Sequence, residues 1–377
     1  MDTRSLELAS AGEASSRLGI SRASLYAYVS RGLVRSFASP HDPRQRLYAV
    51  EDVEMLAERK ARFRRPTVAA ATALDWGLPV LETRITQITD GHLLYRGQEA
   101  VALSRTATLE AVARLLIGGL DEDAFHHASR IPASLPGPAI GLHGFVAQSV
   151  RLLSEPGPKE TRAAEVAAIL RLVAAAAGGG DPGAEPLHAY LARAWTASPQ
   201  AADTIRRALV LCADHELSSS AFAVRVAAST GASLRHAVVA GLVTLSGPYH
   251  GGMTERVRAF LDNPGTASRP AFGHRLYPDG DPRAKALLEN VPLLASDATT
   301  LRAIAAGTGS TPSVDMALVM MERAYGLPVG AAFTVFAIGR TAGWLAHAIE
   351  QRSQAALIRP RARYVAADDS SARISSP

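Results

Sequence analysis

Four short stretches carry the residue types that acid–base chemistry on an anionic substrate needs. Ser246-Gly247-Pro248-Tyr249-His250-Gly251-Gly252 interrupts two helical patterns, the second starting near Met253, and so sets His250 at a helix start. The positive end of a helix disfavours imidazolium, so a histidine there stays neutral and can donate one hydrogen bond to a developing oxyanion. The flanking glycines let a substrate approach closely. The alternative is a histidine satisfied inside its own turn. Phe272-Gly273-His274-Arg275-Leu276-Tyr277, followed by Asp279-Gly280-Asp281-Pro282-Arg283, is a turn-rich run with His274 and Arg283 nine positions apart, open to recognition of a charged group. Pro312-Ser313-Val314-Asp315 opens an apolar helix in which Asp315 either caps the N-terminus or serves as a general base. Arg340 lies in a helix that is apolar nearly all round, with Phe333, Val335, Phe336, Ile338, Trp344 and Leu345 leaving no polar stripe. Such a helix is buried, and a buried guanidinium needs an anion: an Asp or Glu of the protein, or the carboxylate of a ligand. Asp214-His215-Glu216 gathers metal-capable groups, but the spacing fits no zinc motif and the only thiol is Cys212, so no metal site is expected.

These stretches need helices to position them. Segments with 3.6-residue periodicity run over 108–118, 160–177, 201–213, 234–245 and 329–351. Strand signals are few, so the expected class is all-α. Ala174 to Pro182, with three successive glycines, is expected as a loop, and the polar segment after Val365 as a frayed tail.

The first 65 residues read as a separate unit. Ala14 and Leu18 share one helical face, Gly19 turns the chain, and Ser21 N-caps a second helix with Leu25 and Val29 on one face. Gly32 ends it. Leu33-Val34-Arg35-Ser36-Phe37 and Arg46-Leu47-Tyr48 read as short strands around Pro40, His41, Asp42 and Pro43, followed by a charged helix from Glu51. That order, carried by EASSRLGISRASLYAYVSRGLVRS and RQRLYAVEDVEML, resembles the winged helix-turn-helix domain of MerR-type regulators. The resemblance implies DNA binding, with Ser21, Arg22, Ser24 and Tyr28 turned toward the major groove and Arg44 and Arg46 near phosphates. Such modules also serve as protein-contact domains. Arg59, Lys60, Arg62, Arg64, Arg65 and Pro66 read as a basic linker.

Composition sets outer bounds. A chain of 377 residues, 47% hydrophobic and 20% charged, can bury a large core in two or three domains, which excludes a disordered protein. Residues 1–66 hold 12 Arg and Lys against 8 Asp and Glu, so four of the five surplus positive charges lie there, where an anionic polymer would be met. A solubilising surface is the alternative. The lone cysteine forms no intramolecular disulfide, and MDTRSLELAS lacks the order of a secretion signal, so a cytoplasmic location is expected. The uncharged stretches Ile131 to Val150 and His236 to Thr254 are broken by Pro, Gly and His, and no membrane association is expected.

Taken in order, ADHELSSSAFAVRVAAST, SGPYHGGMTERV, AFGHRLYPDGDPRA, TPSVDMALVM, FTVFAIGRTAGWLAHAIEQR and IRPRARYV resemble the citrate synthases, as does ITDGHLLYRGQEAVALSRTATLEAVARLLIGG upstream. The resemblance covers about residues 76–365. It implies a large helical domain (66–220 and 319–365), a small helical domain (221–318) that closes over substrate, and a homodimer. A winged helix-turn-helix domain at 1–65, absent from ordinary members, precedes these, and a flexible tail at 366–377 follows. By resemblance, His250 polarises the thioester carbonyl, Asp315 takes a methyl proton from acetyl-CoA, and His274 protonates the oxaloacetate carbonyl. His215 touches oxaloacetate, and Arg283, Arg340 and Arg359, the last reaching the other subunit's site, hold its carboxylates. The implied reaction joins acetyl-CoA, oxaloacetate and water into citrate and CoA with no tightly bound cofactor. Propionyl-CoA and 2-methylcitrate are the first alternative; a DNA-binding regulator whose synthase body senses metabolites is the second. Met253-Thr254 departs from the Ala-Asn common in the family after His-Gly-Gly, which bears on rate and acyl preference.

Overall fold

The computed structural model describes residues 8–30, 33–39, 42, 45–64, 81–120, 125, 137–155, 161–264, 269–354, 356–362 and 364. It divides into two compact units, Met1–Glu82 and Thr83–Pro377.

In the first unit the elements are β1 (Leu8–Ser10), α1 (Ala11–Leu18), α2 (Arg22–Ser30), β2 (Ser36–Ala38), β3 (Arg46–Ala49) and α3 (Val50–Arg64). The strands form an antiparallel sheet in the order β1-β3-β2. Ser10 and Glu13 close a capping box on α1, and Gly19 ends it at φ 58°, a conformation that costs glycine nothing. Ala14, Leu18, Leu25, Val34, Tyr48 and Val53 form the core. Three details differ from the sequence expectation. Strand β1 has only three residues, too few to show alternation. The second strand starts at Ser36 rather than Leu33. The helix α3 takes in the basic junction through Arg64, because Arg, Lys and Ala are good helix formers. Gly32, Pro40, His41, Pro43, Arg44 and the linker end at Arg65 and Pro66 lie outside the described residues, as does the tail after Val365.

The second unit is mostly helical, but it opens with an antiparallel sheet that corrects the all-α expectation. Its strands β4 (Thr86–Thr89), β5 (His92–Tyr95) and β6 (Gln98–Glu99) pair in sequence order. Asp90 and Gly91 join the first two at φ 49° and 76°, the left-handed pair that a type I′ hairpin turn requires. The Asp-Gly between TQIT and HLLY is the signal for this hairpin.

Helices then follow: α4 (Ala100–Thr106), α5 (Leu109–Ile117), α6 (Leu142–Ser154), α7 (Arg162–Gly178), α8 (Leu187–Ala194), α9 (Pro199–Leu211), α10 (Ser219–Ser229) and α11 (Leu234–Leu245). After these come α12 (Met253–Asp262), α13 (Pro282–Leu288), α14 (Ala295–Thr308), α15 (Val314–Ala324) and α16 (Ala331–Ser353). The expected loop from Ala174 begins only after α7, at Gly179, since Ala174–Ala177 are buried helix formers and Gly179 supplies the left-handed cap at φ 76°.

The organising element is α16. Every residue from Ala331 to Ala348 is buried, and the helix packs against α5, α7, α9, α10, α11 and α15. Burying Phe333, Val335, Phe336, Ile338, Trp344 and Leu345 stabilises by roughly 1.5–3 kcal/mol each. Close approach to the chain after α9 depends on Gly343, where a Cβ would run into the Ala213 carbonyl and the Asp214 carboxylate. Among the described residues no helix is long and apolar enough to cross a membrane.

Candidate active site

Four elements deliver the site: the turn after α9, the turn before α12, the loop before α13 and the first turn of α15, all set against the middle of α16. The chain after α9 is anchored from below by Tyr95. Its hydroxyl lies 3.0 Å from the Val210 carbonyl and 3.3 Å from both the Asp214 carbonyl and the Asp214 N–H. Asp214 itself is sealed beside His347, Nε2 to Oδ1 3.3 Å, with both side chains fully buried. Burial alone would raise the Asp214 carboxyl, but His347 and Arg340 outweigh it and hold it low. This anchoring presents His215.

His215, His274 and Tyr277 form a ring cluster. The His215 and His274 centroids are 5.2 Å apart and edge-on, the His274 and Tyr277 centroids are 5.0 Å apart, and His215 Nε2 meets the Tyr277 hydroxyl at 3.0 Å. His274 Nδ1 accepts from the Leu276 N–H at 3.2 Å, so the neutral ring carries its proton on Nε2. Burial, with help from Arg283, pushes the His274 imidazole down to about 4. Burial first, then Arg283 and Arg340, lowers His215 well below the usual histidine range. Both rings are therefore neutral donors or acceptors at physiological pH.

His250 sits in the turn just before α12, and its ring stands edge-on to Phe336 at 6.2 Å. A run of hydroxyls links its ring to Arg340. Arg340 Nη1 donates to Ser218 Oγ (3.4 Å), which lies 3.3 Å from Ser220 Oγ, which in turn lies 2.8 Å from His250 Nε2. With the guanidinium donating at one end, a run in which each hydroxyl proton points onward lets His250 accept at Nε2 and carry its proton on Nδ1. Burial, followed by Arg340, pushes this imidazole down to about 4. The buried Thr254 hydroxyl donates to the Gly251 carbonyl at 3.0 Å and so braces the same turn, while Met253 packs against the core.

Arg340 lies in the middle of α16. It is 1% exposed, Nε donates to the Cys212 carbonyl at 2.8 Å, and Nη2 is buried with no partner among the described residues. No carboxylate among them hydrogen-bonds to it, although buried Asp214 lies near enough for the two charges to attract. Arg283 is different: Nε and Nη2 grip Asp281 at 2.9 and 2.8 Å. The same carboxylate accepts the Val314 N–H at 3.0 Å and thereby caps α15. Burial opposes ionisation of Asp281, but Arg283 dominates and keeps it low.

Because Asp281 does the capping, Asp315 does not. Its Oδ1 is shut from solvent with no hydrogen bond among the described residues, and its Oδ2 has only Ser313 Oγ at 3.4 Å. Burial pushes the carboxyl up to about 6 against the opposing Arg283. Such a carboxylate is poised to take a proton near neutral pH.

The structure thus brings together His215, His250, His274, Arg283, Asp315 and Arg340, from sites up to 125 positions apart in sequence. Arg359 stays apart, exposed on the extended segment after α16. Sequence reading missed Ser218, Ser220, Tyr277, Asp281 and the Asp214–His347 pair as supports; the Ser218-Ser219-Ser220 run at a helix start and Asp281 before Pro282 were the available signals. Among the described residues no three His, Cys, Asp or Glu groups gather to hold a metal. In the first unit Ser21 is spent on Ser24, Oγ to N 3.2 Å and Oγ to Oγ 3.0 Å, and Tyr28 packs on the unit's core. Arg22 and Arg46 are exposed, with Arg46 Nη2 held by Ser36 Oγ at 2.9 Å.

The model of the citrate synthase C-terminal domain matches residues 146–361, more than half of the chain. "Citrate synthase 2" of Bacillus subtilis is 32% identical over 196 residues, covering 45% of this chain and 53% of that protein. "2-methylcitrate synthase 1" of Corynebacterium glutamicum is 31% identical over 191 residues, 43% of this chain and 50% of that one. The chain thus spans about half the length of these two curated relatives. A citrate synthase of Synechocystis is 28% identical over 361 residues, covering 77% and 89%. Among solved structures, citrate synthase from Thermotoga maritima superposes with a TM-score of 0.65 at 23% identity, covering 77% of this chain and 94% of that one, a likeness of fold. The matched segment holds the three histidines, Arg283, Asp315 and Arg340, and this chain belongs to the citrate synthase family.

Proposed function

We propose that the chain condenses an acyl-CoA thioester with oxaloacetate, acetyl-CoA giving citrate and free CoA. The observation that carries this reading is Asp315: a carboxyl raised to about 6 with one oxygen shut from solvent and without a hydrogen bond, near Arg283, in a fold that also supplies neutral imidazoles and an Arg340 guanidinium that no carboxylate hydrogen-bonds among the described residues. A thioester α-proton is too weakly acidic for a carboxylate alone, so the enolate oxygen must be stabilised as charge develops. His250 Nδ1–H supplies that donor, and His274 Nε2–H serves the oxaloacetate carbonyl as the new carbon–carbon bond forms. Arg340, with Arg283 braced by Asp281, receives the substrate carboxylates, and His215 stands beside His274 in the same cluster. Water then hydrolyses the citryl thioester and releases CoA. We assign residues 221–318 as the smaller lobe that closes over these groups, a motion that excludes water and strengthens each electrostatic contact.

A thiol-release assay with acetyl-CoA and oxaloacetate tests the reading. CoA release is expected from the native chain, with a loss of about 10²–10⁴-fold in Asp315→Asn at little change in the oxaloacetate KM. Release that is unchanged in Asp315→Asn would overturn the assigned base. Running propionyl-CoA in parallel decides between citrate and 2-methylcitrate formation.

A second reading concerns the first unit. Exposed Arg22, at the start of α2, and exposed Arg46, on β3, favour contact with nucleic-acid phosphates. A mobility shift that weakens with salt and with Arg22→Ala is expected; no shift at low salt would leave the unit a protein-contact module.

A further inference from the structure

At the far ends of α11 and α16 from the acid–base cluster lies a cavity of about 490 Å³, with Arg84, Arg96, Arg162 and Arg352 in its lining. The four arginines come from four separate elements: Arg84 precedes β4, Arg96 sits in the β5–β6 turn, Arg162 opens α7, and Arg352 is in the last turn of α16. Along α16 alone, twelve residues separate Arg352 from Arg340, about 18 Å at the helical rise.

Two carboxylates share the lining, Glu165 and Glu350. Glu350 is already spent: Oε2 pairs with buried Arg225 at 2.5 Å and Oε1 accepts the Arg84 backbone N–H at 2.8 Å. That leaves one carboxylate against four guanidiniums. Two of the four are held in place by neutral acceptors only, which orient them without cancelling their charge. Arg96 donates from Nε to the Leu116 carbonyl (2.9 Å) and from Nη2 to the Ile117 carbonyl (3.1 Å), and Arg352 donates to the Ala232 carbonyl. Arg84 and Arg162 make no side-chain ion pair among the described residues. Ile117, Leu234, Ala346 and Ile349 complete the wall with apolar surface.

Convergent cations that lack counter-charges repel one another, and an anion seated among them relieves that repulsion while using guanidinium geometry suited to carboxylate and phosphate oxygens. The volume is that of a small-molecule site, and the apolar wall suits a carbon skeleton rather than a bare ion. We infer that this cavity binds a compact organic polyanion of three or more negative charges, a polycarboxylate or a phosphate ester, apart from the acid–base cluster and whether or not the condensation reading holds.

Isothermal titration of the full chain with propane-1,2,3-tricarboxylate and, separately, with ATP tests it. Saturable binding of either anion is expected, weakening as salt rises, with Kd about tenfold or more higher in Arg84→Ala/Arg162→Ala. The same binding is expected to persist in Arg340→Ala, and the tighter anion identifies the ligand class. Thermal unfolding of the double variant at the native temperature excludes a folding defect. Binding of neither anion, an unchanged Kd in the double variant, or binding abolished by Arg340→Ala would overturn the inference, the last by placing the anion in the acid–base site.

Discussion

At the scale of single residues, the chemistry rests on unequal burial of like groups. Asp281 and Asp315 are two carboxyls flanking one helix start, yet one is held ionised by Arg283 and the other is raised to about 6 by burial. The base must be ionised to work, so kcat/KM is expected to fall about tenfold per pH unit below pH 6. His250 and His274, pushed down to about 4, add no second limb between pH 5 and 7. A profile flat to pH 5 would contradict this assignment. The same shift bears on folding. A carboxyl whose folded value lies above its unfolded one contributes stability that is fully present below about pH 4 and is lost as pH rises through 6. Asp315→Asn is therefore expected to be inactive yet more stable at pH 7.5, by on the order of 2 kcal/mol, in urea titrations. Equal stability of the two proteins there would argue against an ionised, poorly solvated Asp315.

At the scale of elements, one carboxylate ties three helices together. Glu322 of α15 grips Arg258 of α12 through Nε and Nη2, at 3.1 and 2.6 Å to Oε1, and accepts the Gly330 and Ala332 N–H groups at the start of α16, at 3.1 and 2.8 Å. Burial raises the Glu322 carboxyl despite these partners, a measure of how little water reaches it. Glu322→Ala would leave Arg258 with only Glu255 among the described residues, at 3.1 Å, and orphan two helix-end donors, and a loss of about 3 kcal/mol is expected from denaturant unfolding. Glu322→Gln keeps an acceptor and should lose less. Comparable stability of the Ala variant and the native chain would show that water replaces these contacts. Helix spans were legible because apolar period and caps agree: the pattern at 234–245 is the observed α11, and 329–351 lies within two residues of α16 at each end. The hairpin β4–β5 was lost because each strand is only four residues long, below the length at which alternation outweighs a helical background.

At the scale of the whole molecule, Arg359 is the residue that a single chain leaves without a place. It lies exposed after α16, on a segment tied back by the Gln351 side chain to the Ala356 carbonyl (3.0 Å) and by Ser229 Oγ to the Ile358 N–H (3.1 Å). We propose that it completes the site of a second copy. Arg359→Ala and Asp315→Asn would then each be inactive alone, while a mixture refolded or co-expressed as a dimer regains about a quarter of native activity, since half the dimers are mixed and each has one intact site. A mixture no more active than its components would place Arg359 in its own subunit's site or outside the chemistry.

The residue types of the site, the helices that carry them and a separate small N-terminal unit were all present in the order of amino acids, because period, caps and turn formers are local properties. What a given charge meets is not local. Sequence alone left Arg340 with either an internal carboxylate or a ligand, and Asp315 with either a cap or a proton to move. Packing set the contacts of both: α16 buries Arg340 with hydrogen bonds to a carbonyl and a hydroxyl, and Asp281, 34 positions earlier, caps the helix start in place of Asp315. The arginine-lined cavity was invisible for the same reason, since its four cations are spread over 269 residues of chain and acquire a common field only when the fold sets them around one space.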